Sequence, residues 1–215
     1  MALQSQVEIL RPGFASGTAR HCLFDFDGTL SLLREGWQEV MAPMMVDILM
    51  QTPKHESREA LAVLVRDYVD QLTGKDTIYQ MIRLTEEIRA RGGEPLDPLA
   101  YKYRYLELLW QRIAHRVQGV KEGSIPREQM LLPGSIELLE ALRARGVVCY
   151  LASGTDIAFV RDEAEALGLT PYFRGGVYGA LDDWKSFSKA ILIQRILSEH
   201  NLQGIAVEFP LQRLV

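Results

Sequence analysis

The chain has few of the features that mark a protein for a membrane, a nucleic acid or an oxidising compartment. Its 215 residues hold two cysteines, Cys22 and Cys149, with no CxxC pair and no Cys/His cluster. A disulfide framework and a structural zinc site are therefore both unexpected, and two reduced core thiols are the simpler reading. The other usual zinc ligand, histidine, occurs four times without metal-ligand spacing. No apolar run approaches the roughly 20 residues of a membrane span, and Met1 to Gly17 lacks a basic segment followed by an apolar one. A soluble, cytoplasmic protein with no membrane partner is the expectation. Basic blocks are missing too: 24 Lys and Arg are dispersed among 28 Asp and Glu, for a net charge of −4. Nothing there marks a nucleic-acid surface, so any anion site has to be built locally. Repeats and low-complexity stretches are also absent, and composition leaves monomer and homodimer equally open.

What is present concentrates in Leu23-Phe24-Asp25-Phe26-Asp27-Gly28-Thr29-Leu30. His21 to Phe26 is apolar, aromatic and nearly free of breakers, which suits a strand buried on both faces, and Gly28 stops it. Residues two apart on a strand share a face, so Asp25 and Asp27 are placed together at its carboxyl end. Carboxylates that close repel each other unless a cation lies between them, and Mg²⁺ takes such oxygen ligands. One carboxylate could then attack phosphorus while the other moves a proton. An ordinary Asp-Gly turn explains the same residues, so the pair alone leaves both readings open.

After this strand the pattern is helical for about a hundred residues. Arg34 to Gln51 is amphipathic, with Pro43 predicting a kink or a split. Ser57 to Leu72 follows, then Thr77 to Arg91 behind an Asp76 N-cap and before Gly92-Gly93. Asp97-Pro98 opens a long helix, Leu99 to Val117. The remainder alternates: helix Ile136 to Arg145, strand Val147 to Ala152, helix Asp156 to Leu167, strand Tyr172 to Gly179, helix Ser188 to His200 and strand Ile205 to Phe209. Alternation of this kind implies an α/β protein with a parallel sheet and ligands at the carboxyl ends of its strands.

Asp25-Phe26-Asp27-Gly28-Thr29-Leu30 resembles the DxDGT first motif of the haloacid dehalogenase superfamily. The order of one strand, a helical insertion and then the rest of the sheet resembles members with an α-helical cap of the phosphoglycolate phosphatase and β-phosphoglucomutase type. The resemblance implies a three-layer Rossmann-like parallel-sheet core, residues 1–32 and 126–215, with an α-helical cap at 33–125. It implies Asp25 as nucleophile and metal ligand, Asp27 as general acid/base with its backbone carbonyl on Mg²⁺, and Gly28 and Thr29 as substrate-side residues of the same motif. It also implies a Ser or Thr second motif, met by Ser153 with the Gly154 amide. The third-motif lysine is met by Lys189, ahead of Lys185, because Lys189 directly precedes the apolar run Ala190-Ile191-Leu192-Ile193. The fourth motif departs from the family: a Gly-Asp pair is expected after Val207, and the chain reads Glu208-Phe209-Pro210 instead. Glu208 is the candidate replacement ligand, with Asp182 and Asp183 behind it. The C-terminal part of the core is expected to be incomplete, through an early end or a divergent tail.

Among insertion residues, Arg34 is near enough to reach a substrate anion through a forked pair of hydrogen bonds, and Trp37 to wall the pocket. Gly74 and Lys75 are weaker candidates. Thr73-Gly74-Lys75-Asp76 is not a P-loop, since Val69 stands where the upstream glycine belongs and Asp76 replaces the hydroxyl. Tyr101-Lys102-Tyr103-Arg104-Tyr105 spreads around a helix axis and is read as one packed face. The expected activity is Mg²⁺-dependent hydrolysis of a small phosphorylated metabolite through an aspartyl-phosphate. A sugar phosphomutase, and a catalytically impaired binding or regulatory protein lacking the fourth-motif acid, are the rivals.

Overall fold

The computed structural model describes residues 19–181 and 189–199. Strand β1 (His21–Phe24) is followed by helices α1 (Gln38–Leu49), α2 (Arg58–Leu72), α3 (Thr77–Ala90) and α4 (Pro98–Glu122). Then come α5 (Ser135–Ala144), β2 (Val148–Asp156), α6 (Ile157–Ala166), β3 (Gly176–Ala180) and α7 (Lys189–Glu199). The strands form one parallel sheet in the order β1-β2-β3, with Cys22 opposite Cys149 and Phe24 opposite Leu151. The fourth strand expected at Ile205–Phe209 lies outside the described residues, as does Glu208.

Period-two alternation explains why this sheet is covered on both sides. Cys22, Phe24, Cys149 and Leu151 point into the main core with Leu139 of α5 and Val160 and Ala164 of α6. Leu23, Tyr150 and Ala152 point the other way, onto Leu192 and Ile196 of α7. The result is the α/β, Rossmann-like layering expected from the sequence. No helix among the described residues is long and apolar enough to cross a membrane.

The four inserted helices pack on one another, α1 with α2 and α4, and α3 with α2 and α4. Their apolar faces join the core of the sheet: Met41, Leu61, Met81 and Leu109 belong to the same buried cluster as Phe24 and Leu151. Arg91 clamps the far end by pairing with Glu56 (2.6 Å) and Glu87 (2.5 Å). The capping signals hold in part. Ser57 accepts the Ala60 amide and Asp97 the Leu99 amide, whereas Asp76 makes no capping hydrogen bond.

Several boundaries differ from the sequence expectation: β1 ends at Phe24 rather than Phe26, and β3 starts at Gly176 rather than Tyr172. Helix α1 begins at Gln38 rather than Arg34, after turns over 33–37, and continues unbroken through Pro43. Helix α4 runs past Val117 to Glu122 and stops where Gly123 takes φ +76°, a left-handed cap that glycine adopts without steric cost. Strand β2 continues through Ser153-Gly154-Thr155 to Asp156, with an irregular register after Ala152.

A core that spans insertion and sheet makes the two parts stabilise each other. Leu109→Ala is expected to lower unfolding free energy by about 2–5 kcal/mol, through lost burial and a residual cavity. Exposed Leu96→Ala should stay within about 0.5 kcal/mol of wild type. Urea titration of both variants checks this.

Candidate active site

The first motif folds as a strand end running into a tight turn. The carbonyl of Phe26 accepts amides from Thr29, Leu30 and Ser31 at 3.2, 2.9 and 3.0 Å, and the Gly28 amide donates to Ser31 at 2.9 Å. Gly28 takes φ +73° to make this possible. The amides of Gly28 and Thr29 are thus consumed inside the turn, and neither residue lines the cavity described below.

That turn brings Asp25 and Asp27 to one place with different partners. Asp25 Oδ1 accepts the Phe26 amide at 2.8 Å and lies 2.9 Å from Lys189 Nζ, at the first residue of α7. Burial pushes the Asp25 carboxyl above its ordinary value, and the Lys189 charge and hydrogen bond oppose that rise. Asp27 Oδ2 accepts the hydroxyls of Ser153 (3.0 Å) and Thr155 (2.8 Å). Its other oxygen, Oδ1, is buried without a hydrogen-bond donor among the described residues, with Arg34 Nε at 3.9 Å.

Ser153 reaches Asp27 because β2 continues past Ala152. Its hydroxyl also accepts the Thr155 amide at 3.0 Å, and α6 starts at Ile157, one residue after the expected Asp156. Gly154 is required for a different reason. A Cβ there would stand 2.6 Å from the carbonyl oxygen of Lys75, so the loop before α3 rests on the backbone of the sheet at this point.

Arg34 is buried, at 6% exposure. Its fork is taken by Glu163 of α6, with Nε 3.1 Å from both carboxylate oxygens and Nη2 2.6 Å from Oε1, and it stacks 5.2 Å over the Phe159 ring. Expected to meet a substrate anion, Arg34 gives Nε and Nη2 to an internal carboxylate and also lines the cavity described below. The desolvation of that pair is offset by its bidentate geometry. A second buried pair, Lys102 of α4 with Asp156, joins the insertion to the end of β2.

Asp25, Asp27, Ser153, Gly154 and Lys189 line one cavity of about 80 Å³, closed from the insertion side by Trp37, Lys75 and Gln80. Sequence reasoning missed Thr155, Glu163, Gln80 and the Lys102–Asp156 pair. Thr155 had a visible signal in the run Ser-Gly-Thr. Glu163, one of several acids on an amphipathic helix, had none. Among the described residues no three His, Cys, Asp or Glu side chains converge to hold a metal. Asp25 and Asp27 offer two carboxylates, one with a buried unpaired oxygen, a donor set that fits a hard cation retaining most of its waters.

A family model of haloacid dehalogenase-like hydrolases matches residues 19–206. Solved structures similar to the chain include a predicted phosphatase from Clostridium acetobutylicum, at 17% identity over 88% of this chain and 74% of that one, TM-score 0.54. A mutant of CbbY from Rhodobacter sphaeroides in complex with xylulose-(1,5)bisphosphate is 18% identical over 88% and 76%, TM-score 0.52. A predicted phosphoglycolate phosphatase from Haemophilus somnus 129pt is 17% identical over 86% and 72%, TM-score 0.51. Comparison with curated proteins finds no match. At these identities the structural likeness is one of fold.

Asp76, 4% exposed, stands at the edge of this site with Oδ2 unpaired among the described residues. Desolvation raises its carboxyl from 3.8 to about 6, against the pull of Lys189 and Lys102. A folded-state value above the unfolded one means that ionised Asp76 destabilises the fold, and that this penalty disappears as pH falls through 6 toward 4. Asp76→Asn is therefore expected to be more stable than wild type near pH 8, with the difference gone near pH 4. Thermal unfolding across that range checks it, and a less stable variant near pH 8 contradicts it.

Proposed function

The chain belongs to the haloacid dehalogenase-like hydrolases, and we propose that it is a Mg²⁺-dependent phosphatase that cleaves a small phosphorylated metabolite through an aspartyl-phosphate on Asp25. The observation that carries this reading is the division of labour between two carboxylates around one cavity: Asp25 beside Lys189, Asp27 beside two hydroxyls.

Asp25 attacks phosphorus in line, and the P–O bond to the alcohol breaks as Asp27 gives its proton to the leaving oxygen. Asp27 then takes a proton from water as that water attacks the aspartyl-phosphate, which releases phosphate and restores the Asp25 carboxylate. Lys189 Nζ, the Ser153 hydroxyl and the Gly154 amide neutralise charge on the phosphoryl oxygens, the largest contribution in this kind of catalysis. The Lys189 charge also opposes the rise that burial imposes on the Asp25 carboxyl. The Asp25 carboxylate and the Asp27 backbone carbonyl would hold Mg²⁺, which when bound supplies positive charge beside the transferred group.

Residues 33–125 act as a cap in this reading. A cavity of about 80 Å³ accommodates a phosphoryl group but not a whole sugar phosphate, well under the roughly 300 Å³ usual for a small-molecule site. The substrate therefore enters when the insertion moves away from Gly154 and Lys189, and closure excludes water from the first step.

Turnover of p-nitrophenyl phosphate with Mg²⁺ tests the proposal. Asp25→Asn should lower kcat by roughly a thousandfold or more, and Lys189→Met by about a hundredfold. Equal rates for wild type and Asp25→Asn would reject it in favour of a binding protein that keeps the fold without the chemistry.

A further inference from the structure

Gln80 is out of place for a residue that only packs. It lies on α3 among apolar neighbours, with Met81 and Leu84 fully buried beside it, and is itself 3% exposed. Its side-chain oxygen is buried with no hydrogen-bond partner among the described residues. A methionine would fill the same volume without leaving a polar atom unpaired, so the amide costs stability that packing does not explain. The same side chain lines the catalytic cavity together with Trp37, Asp25, Ser153 and Lys189. A buried oxygen unpaired among the described residues, on a side chain that lines the cavity of the reacting groups, is left open for a ligand.

The chemistry of that ligand follows from what surrounds the amide. Phosphoryl oxygens are served from the sheet side by Lys189, Ser153 and the Gly154 amide, so Gln80 faces the alcohol half of the ester. An amide is a neutral group and matches a neutral partner. A hydroxyl suits it whichever way the amide is turned, since a hydroxyl both donates and accepts. Trp37, half-buried beside it, offers an apolar wall to the carbon chain of the same group.

We infer that Gln80 is a specificity-determining residue that hydrogen-bonds a hydroxyl of the leaving alcohol, so that the protein selects polyol or sugar phosphates over alkyl phosphates. This rests on the phosphatase reading for its kinetic test and on equilibrium binding otherwise. A site built around a hydroxyl rejects the analogue lacking it, because the buried amide is then desolvated without compensation.

The test compares glucitol 6-phosphate with hexyl phosphate, which presupposes no particular hydroxyl, in wild type and Gln80→Met. Wild type should favour the glucitol ester in kcat/KM, and Gln80→Met should cut that preference by about ten- to a hundredfold. In the ligand-free protein Gln80→Met should raise Tm, since it removes an unpaired buried oxygen. Gln80→Leu repeats the comparison with a second apolar side chain. Calorimetric binding of both esters to Asp25→Asn, with and without Gln80→Met, reads the same preference without turnover. If wild type hydrolyses neither ester nor p-nitrophenyl phosphate, the phosphatase reading fails, and selective loss of glucitol 6-phosphate affinity in the calorimetric arm still supports the role of Gln80. Equal losses for both esters in that arm, or a lowered Tm with no change in preference, would overturn it.

Discussion

Two carboxylates two residues apart in a buried turn repel each other, and much of the surrounding structure resolves that repulsion. Each acid is given its own partners from a different part of the chain. Lys189, at the start of α7, faces Asp25, while the hydroxyls of Ser153 and Thr155, from the extended end of β2, hold one oxygen of Asp27. Arg34, anchored by Glu163, stands 3.9 Å from the other. Local chain geometry alone could not do this. It needs β2 parallel to β1 and in register, so that Ser153 emerges level with the Asp27 turn, and α7 covering the face on which Leu23 points. The sheet order is in this sense a device for bringing a cation and two hydroxyls to a pair of acids.

The helical insertion is tied to the same place. Its apolar side continues the core of the sheet, Lys102 pairs with Asp156 at the end of β2, and the Lys75 carbonyl lies where a side chain at residue 154 would stand. These contacts form the lid of a small cavity. In the proposed reading these contacts must loosen for an ester larger than its phosphoryl group to enter. The burial of Asp76 at this junction costs stability when it is ionised.

Much of this was legible in the sequence because the signals were local and redundant. The apolar run ending in Asp25-Phe26-Asp27-Gly28 marked a strand, a turn and a pair of acids at once, and Asp97-Pro98 marked a helix start to within one residue. Lys189 was picked out by the apolar run that follows it. What stayed hidden depended on tertiary partners. Nothing in the spacing of α6 distinguishes Glu163 from its solvated neighbours, and Arg34 read as a free cation because its partner is 129 residues away. The length of β2 was underestimated because Ser-Gly-Thr favours a turn locally; pairing with β3, where Asp156 lies opposite Ala180, keeps it extended. Gln80 was invisible for a related reason: that its side-chain oxygen has no partner among the described residues depends on what folds around it.

The central claim is that Asp25 forms a covalent bond to phosphorus. The most direct measurement is rapid acid quenching of the enzyme during turnover of radiolabelled p-nitrophenyl phosphate with Mg²⁺, followed by proteolysis and peptide mapping. Label on the peptide that contains Asp25, absent from the Asp25→Asn protein, is the predicted result. Release of labelled phosphate with no protein-bound label at any quench time, or label that persists in Asp25→Asn, would contradict the account.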